Sequence, residues 1–490
     1  MFVPIITDIV NLSFRTGTFP EPLKHAIITP VIKKQNLDAN ELKNFRPVSN
    51  ISYLSKVIER HAVDNINRYL IANGLGEPLQ SAYKPVHSTE TALLRVKNDI
   101  MESVSQRKGV FLALLDLSAA FDTVNHNILL SRLDNDFGLK GNVLKWIRSY
   151  LSKRTTVVSV DGIASQRLEF KYGIPQGSII GPQQFTLYTT PIGDILREFG
   201  LRYHIYADDI QIYISFDPRD YNSIISALTR MSKCIDKIKH WMTVNYLKFN
   251  EDKTEFFVAI AKHLKRYLPP VSLRVGTKII NPADKVRNLG IVFDSSMSMT
   301  PQITSLCTTL NYQLRSISRI RKFLDQTTCH LVIRALVLSK MDYGNALIYG
   351  STISDLKRLQ RIQNWAAKLI YRAMKRDHAS PYLKELHWLP VQERITYKIM
   401  VYVYKCIHGL APAYLSSLMR LYTPGRSGLR SASDTSRLFE HNTIHNLQTA
   451  SNRTFSIVAP RTWNSISFSV RSSPSLVIFK KSLKHELFPL

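Results

Sequence analysis

The chain is short of cysteine, of acidic residues and of long apolar runs, and each shortage excludes something. Only four cysteines (Cys234, Cys307, Cys329 and Cys406) occur in 490 residues, with no C-x-x-C pair and no zinc-knuckle spacing. That argues against a disulfide scaffold and a structural zinc site, and makes a reducing compartment the default. His441 and His445 stand at H-x-x-x-H spacing but have no cysteine pair beside them, so the spacing reads as coincidence. The longest strong apolar run, Val110–Leu115, falls far below the roughly 20 residues of a membrane helix. The opening MFVPIITDIV has neither the basic start nor the cleavage site of a signal peptide. Together these absences predict an intracellular protein, neither secreted nor inserted in a membrane, without deciding between nucleus and cytoplasm.

The shortage of acid is the most informative. Against 65 Lys+Arg stand 37 Asp+Glu, a net charge of +28. Such an excess points to a polyanionic partner, nucleic acid first and an anionic membrane second. Hydrophobic residues make up 44% and charged residues 21%, so the chain can bury a core and is no disordered tail. Its length suits two to four packed lobes. The charge is uneven: beyond residue 300 there are 27 Lys+Arg and 9 Asp+Glu, net +18, which leaves +10 for the first 300 residues. The pattern predicts a catalytic body followed by a basic, nucleic-acid-gripping extension.

What is present in the first part alternates between helix and strand. Phe111–Leu115 is a continuous apolar run fit for a buried strand that ends on Asp116. Asn142–Leu151 reads as an amphipathic helix, and Thr155–Val160 as a β-branched strand closed by the turn Asp161-Gly162. Gly173–Gly177 is a loop, and Gln183–Glu198 a helix interrupted near Pro191. Tyr203–Ala207 and Ile210–Ser215 read as strands joined by a tight Asp208-Asp209 turn. Tyr221–Asn245 has helical period, with Ile225, Leu228, Met231, Ile235, Ile238 and Met242 on one face. Beyond residue 300 the pattern is mostly helical, with a linker expected at 423–436.

Three aspartates stand at the ends of apolar strands: Asp116, Asp208 and Asp209. If the strands are neighbours, the carboxylates converge, and such a cluster is unfavourable unless a cation neutralises it. Hard oxygen donors favour Mg²⁺, and two such ions about 4 Å apart suit nucleotidyl transfer. An Asp-Asp pair in a turn is also common for reasons of geometry and solvation alone. Asp122, six residues after Asp116, fits a turn or a helix cap better than a catalytic group.

An ordered series of motifs decides between these readings. LLDLSAAFDTVNH (114–126), GIPQGSIIGP (173–182), YADD (206–209), LKFNEDKTEFF (247–257) and NLGIVFD (288–294) together resemble a reverse transcriptase. The upstream NFRPVSN (44–50), KVIER (56–60) and QSAYKPVHSTETALL (80–94) resemble the finger motifs of non-LTR retrotransposon polymerases. ALVLSKMDYGNALIYG, ELHWLPVQERI and the tail from NRTFSIVAPRTWNSI onward are similar to the region C-terminal to the polymerase in jockey and chicken-repeat-like long interspersed elements.

The resemblance implies an α+β right-hand polymerase. Fingers and palm would cover 1–295, a helical thumb 296–375, and a basic C-terminal segment 376–490. It implies an RNA-directed DNA polymerase that extends a DNA primer with dNTPs on an RNA template, with Mg²⁺ as cofactor and Mn²⁺ as the alternative. Asp116, Asp208 and Asp209 match the metal-binding carboxylates, with the carbonyl of Leu117 as a further ligand. Phe121 matches the aromatic gate against a ribose 2′-hydroxyl, and Gln176 and Gly177, with Pro175, match the nucleotide and template loop. Lys253 matches the lysine that protonates departing pyrophosphate, and Leu289-Gly290 the turn that grips the primer. Lys84 resembles the finger residue facing the triphosphate. The family more often has Arg there, so the charge is kept and the bidentate fork lost.

Gln183-Gln184 depart from the usual Leu-Leu, placing two amides on a normally apolar face, at a cost of about 1–3 kcal/mol each if unsatisfied. Neither an endonuclease signature nor a zinc knuckle is present, so no target-nicking activity is expected from this chain alone; a truncated copy or gene-model fragment would explain that. Three rivals are carried: a decayed nucleic-acid-binding remnant, an RNA-templated RNA polymerase (against which Phe121 counts), and an anionic-membrane binder, which explains the charge but not the motifs.

Overall fold

The computed structural model describes residues 2–34, 36–118, 121–423, 434, 436–441 and 448–489. The protein is α+β, as expected. The chain opens with helix α1 (Phe2–Thr16), strands β1 (His25–Ile32) and β2 (Phe45–Asn50), and helices α2 (Tyr53–Ala72) and α3 (Thr89–Ser105). Strand β3 (Gly109–Ser118), helices α4 (His126–Asn135) and α5 (Gly141–Leu151), and strands β4 (Thr155–Val160), β5 (Ile163–Ala164) and β6 (Leu168–Glu169) follow. Helices α6 (Gly181–Tyr188) and α7 (Pro191–Glu198) lead into β7 (Arg202–Tyr206), β8 (Asp209–Phe216), α8 (Tyr221–Val244) and β9 (Lys248–Ala259). Short strands β10 (Leu273–Val275), β11 (Lys278–Ile280), β12 (Pro282–Ala283), β13 (Lys285–Asn288) and β14 (Ile291–Asp294) come next. Helices then dominate: α9 (Thr300–Ile320), α10 (Gln326–Ile333), α11 (Ser339–Asp342), α12 (Ile353–Tyr371), α13 (Ser380–Glu385) and α14 (Val391–Ile407), with further helices to Leu487. No helix among the described residues is long and apolar enough to cross a membrane.

Two compact units divide the chain. The first comprises Met1–Tyr83, Leu115–Ile210 and Ser232–Thr254; the second Lys84–Leu114, Gln211–Met231 and Glu255–Leu490. The two larger sheets have strand orders β2-β1-β4-β5, with β6 on β4, and β12-β9-β3-β8-β7. In the first unit an aromatic core forms where α1 packs on α5. Trp146 stacks with Phe14 at 5.2 Å, and its indole N–H donates to Ser13 Oγ at 2.9 Å. In the second unit the Phe111 and Phe216 rings stack at 3.9 Å. A Cβ at Gly109 would meet the Phe216 ring at 2.3 Å, which only glycine avoids.

Most expected elements lie where the pattern put them, and the departures have physical causes. The Gln183–Glu198 helix is two helices, α6 and α7, because Pro191 suits a first helical turn and not an interior. The Tyr203–Ser215 hairpin turns on Ala207-Asp208, so Asp209 is the first residue of β8 and not part of the turn. The buried stripe of α8 begins with Ile224 and Ala227, whereas Ile225 is exposed and Leu228 half-buried. The stripe drawn from the sequence was rotated by one residue there, because Ile225 is as apolar as Ile224. The expected linker 423–436 lies largely outside the described residues, as does His445.

Candidate active site

Three segments of the first unit bring the sequence-predicted carboxylates into one electrostatic neighbourhood. Asp116 lies on β3, which runs two residues past it to Ser118; Asp208 closes the β7–β8 turn and Asp209 opens β8. Strands β3 and β8 are neighbours in their sheet. The pKa of Asp208 is raised, chiefly by desolvation and further by Asp116, against the pull of Lys253 and Arg46. Asp209 reaches the surface, yet its surroundings push its pKa up to about 6, desolvation first, then Asp208 and Asp116. A buried carboxylate beside another carboxylate is easier to keep as an anion when a cation is near.

Part of that need is met by a lysine. Lys253 Nζ lies 3.1 Å from Asp116 Oδ2, and Asn250 Nδ2 donates to the same oxygen at 3.2 Å. Asn250 Oδ1 in turn accepts from the Lys253 backbone N–H at 3.2 Å, which ties the two together. Among the described residues no group of three or more His, Cys, Asp or Glu side chains stands arrayed to hold a metal ion. The acidic trio is a charge cluster whose first member is paired with Lys253.

The turn carrying Asp208 is held in a strained form. Ala207 is buried at φ +57°, a left-handed conformation that residues with a Cβ rarely adopt. Gln80 fixes it. Its Oε1 accepts from the N–H groups of Ala207 and Ala82, each at 2.9 Å, and its Nε2 donates to Ala207 O at 3.3 Å. Strain of this kind persists only where the surroundings over-determine it. Tyr83 stands close enough to Asp208 for its own pKa to be raised, by desolvation first and then by that carboxylate.

A second layer positions the Gly173–Gly177 loop. Ile174 N donates to Phe121 O and Gly173 N to Val124 O, both at 2.8 Å. Gly173 (φ +81°) could bear no Cβ, which would meet Asp122 O at 2.7 Å, and at Gly177 (φ +114°) it would meet Ser49 O at 2.6 Å. Close approach to this chain's own backbone is therefore the reason for both glycines. Asp122 lies in a turn and accepts from Gln176 Nε2 at its Oδ1 at 3.3 Å, while Asn125 caps α4. The Phe121 ring is half-buried and stacks on Phe185 at 4.8 Å. Buried Glu59 accepts from the N–H groups of Ile179 (2.6 Å) and Ile180 (3.3 Å) and from Ser55 Oγ, clamping the loop's far end.

Gln183 and Gln184 are both buried. Gln183 Nε2 donates to Asn67 Oδ1 at 2.7 Å, whereas neither amide atom of Gln184 has a hydrogen-bond partner among the described residues. In the second unit Lys84 opens the first segment, half-buried, and Leu289 (φ +43°) and Gly290 (φ +82°) form the β13–β14 turn. Tyr343 Oη donates to Leu289 O at 2.8 Å and braces that turn. Sequence reasoning missed Gln80, Asn250, Glu59 and Tyr343 as supporting residues. All four lie in quoted motifs, but an amide, carboxylate or phenol that serves backbone groups has no spacing signature.

Residues 32–293, more than half the chain, match the family model described as reverse transcriptase (RNA-dependent DNA polymerase). Among curated proteins, the RNA-directed DNA polymerase from mobile element jockey of Drosophila melanogaster is 26% identical over 375 residues. That match covers 74% of this chain and 39% of the relative. The probable RNA-directed DNA polymerase from transposon BS of the same species is 24% identical over 396 residues, 79% of this chain and 43% of that protein. The chain thus spans about two fifths of the length of these relatives. Among solved structures, apo telomerase from Candida tropicalis is similar at a TM-score of 0.40 and 10% identity, over 76% of this chain and 63% of that one. On the match across residues 32–293, the chain belongs to the reverse transcriptase (RNA-dependent DNA polymerase) family.

Proposed function

We propose that this chain is the RNA-directed DNA polymerase portion of a non-LTR retrotransposon protein, with a right-hand polymerase arrangement. Fingers and palm would lie within 1–295, the thumb in 296–375 and a basic segment in 376–490. The reaction is attack of a primer 3′-hydroxyl on the α-phosphate of a dNTP, with a P–O bond formed to the primer and pyrophosphate released. The observation that carries this reading is the grouping of Asp208 and Asp209 with Asp116, where burial first and the neighbouring carboxylates next raise the pKa values of Asp208 and Asp209, inside the motif order of the family.

The three carboxylates and the carbonyl of Leu117 are hard-oxygen donors of the kind Mg²⁺ or Mn²⁺ takes, and they would hold such an ion once drawn together around it. When bound, such ions would polarise the attacking hydroxyl and the phosphate and offset charge on the leaving group. The chain's own residues do the rest. Lys253, within salt-bridge distance of Asp116, is placed to move to the leaving pyrophosphate as its general acid once that carboxylate has another cation. Phe121, fixed by Phe185, presents a bulky edge that excludes a ribose 2′-hydroxyl and so selects deoxynucleotides. Gln176 and Gly177 supply amide and backbone groups to nucleotide and template. Lys84 attracts the triphosphate, and Leu289-Gly290, braced by Tyr343, hold the primer end.

The test is primer extension on an RNA template with Mg²⁺ and dNTPs. Wild type should extend, and Asp208→Asn should not; extension that survives the substitution would overturn the site assignment. One observation favours a second reading, a catalytically decayed remnant that still binds nucleic acid: Gln184 buries an unsatisfied amide where the family has an apolar side chain. Template binding without any incorporation would select it.

A further inference from the structure

The helical part of the second unit holds a separate concentration of charge. A cleft of about 960 Å³ lies between the last turn of α9 with the segment after it and the C-terminal half of α12. Among the described residues six cations line it, Arg321, Lys322, Arg361, Lys368, Arg372 and Lys375, together with Trp365, and no carboxylate does. Arg321 and Lys368 serve the fold, and Arg372 Nη2 also reaches Leu324 O at 3.4 Å. Buried Arg321 donates to the carbonyls of Leu369 (2.7 Å), Ile370 (2.7 Å) and Leu324 (2.6 Å), and Lys368 Nζ donates to Lys375 O at 2.8 Å. The Arg321 bonds to Leu369 and Ile370 cover carbonyls in the last turn of α12, whose dipole would otherwise repel an anion. The cleft floor is therefore positive where a bare helix C-terminus would be negative.

The other cations are exposed, and the aromatic groups have the complementary form. Lys322, Arg361, Arg372 and Lys375 all reach solvent, and Trp365 is half-buried, so the helix holds its ring while part of it stays open. Phe323, next to Lys322 in the chain, is 77% exposed, with Lys322 Nζ 4.8 Å from its ring centroid. Cations supply phosphate contacts irrespective of sequence, and a flat ring among them supplies a stacking surface for any base. A duplex hides the faces of its bases, so only an unpaired strand can use both features.

We propose that this cleft binds single-stranded nucleic acid, with phosphates on Lys322, Arg361 and Lys375 and an unpaired base stacked on Trp365. The site needs neither the carboxylates nor dNTPs, so it stands apart from the polymerase reading.

The experiment uses the full chain carrying Asp208→Asn, titrated with fluorescein-labelled single-stranded RNA and DNA oligomers and with a blunt duplex of equal length. Trp365→Ala should weaken single-strand binding about tenfold or more, while Trp365→Phe retains most of it. Lys322→Ala with Arg361→Ala should weaken it too and flatten its dependence on salt. Duplex binding should respond little to Trp365→Ala. Single-strand binding untouched by both the tryptophan and the cation changes overturns the proposal, as does equal loss for duplex and single strand. Cation-dependent retention on phosphatidylserine vesicles, with no oligomer binding, overturns it as well. Should Trp365→Ala fail to fold, by circular dichroism, the exposed Lys322/Arg361 pair decides the matter. Trp365-dependent binding in a wild-type chain that extends no primer supports this site while removing the polymerase reading.

Discussion

Asp209 and Asp294 each stand at one end of an apolar strand, and the protein treats them in opposite ways. In the second unit, burial pushes Asp294 up, but Ser296 Oγ at 2.6 Å and the N–H groups of Ser298 (3.1 Å) and Met299 (2.9 Å) overcome it and hold its pKa down. In the first unit burial raises the pKa values of Asp208 and Asp209, neighbouring carboxylates raise them further, and the one backbone N–H that serves Asp208 does not offset the rise. A carboxylate that builds structure is given its hydrogen bonds. One that is denied them and grouped with its like is stable as an anion only with a cation, and that difference separates a site from a turn.

The comparison breaks most visibly if charge is removed from each place in turn. Asp208→Asn should lower primer extension about a thousandfold or more, a size typical of losing a group that acts only on the reacting atoms. It should leave the melting temperature unchanged or raised, because a repelling charge is gone. Calorimetry beside the extension assay checks both halves; a loss of stability to match the loss of activity would make Asp208 a structural residue like Asp294.

Gln80→Ala comes next. It removes the side chain that holds Ala207 in its left-handed turn, so Asp208 should lose its position while keeping its charge. Misplacement near 1 Å is enough for about a hundredfold loss of extension. Two buried N–H groups lose their acceptor as well, at about 1–3 kcal/mol. Urea unfolding measures the second effect, and extension by the fully folded variant measures the first; unchanged extension would show the turn to be held by its own strands.

Asp294→Asn is the mirror image. It should cost about 1.5–3 kcal/mol in stability, the range for hydrogen bonds to a charged group, and leave extension intact below the melting point. An activity loss without a stability loss would reverse the roles of the two aspartates.

This contrast also marks how far the sequence could be read. Motif order named the trio, Lys253, Phe121 and the loop, and apolar runs placed β3, β4, α5 and the hairpin. What it could not show is the supply of donors, because Ser296 and Ser298 look like any turn residues, and Gln80 lies more than a hundred residues from the backbone it holds. Nor could it show that Lys253 pairs with Asp116, since that contact spans 137 positions. The one-residue rotation in α8 has the same origin: two adjacent isoleucines are equal in pattern, and only packing chooses between them.

The second unit's positive charge is itself not all surface, and Lys97 tests that through the pH dependence of stability. It is fully buried, its Nζ donating to the carbonyl of Leu347, and its pKa is pushed down to about 7, chiefly by desolvation and then by Arg453, against the attraction of Asp294. The unfolded chain keeps this proton to about pH 10.5, so between about 7 and 10.5 the unfolded state binds more protons than the folded one. Stability from this group must then rise with pH across that window, by at most about 1.4 kcal/mol per unit, and level off outside it. Lys97→Met should remove the slope, so that the gap in stability between the two proteins narrows from pH 7 to pH 10. In an Asp294→Asn background the Lys97 pKa should fall further and the window open at lower pH. A gap that stays constant with pH would mean that Lys97 keeps its charge inside the fold, and that Asp294 balances a buried cation as well as building a turn.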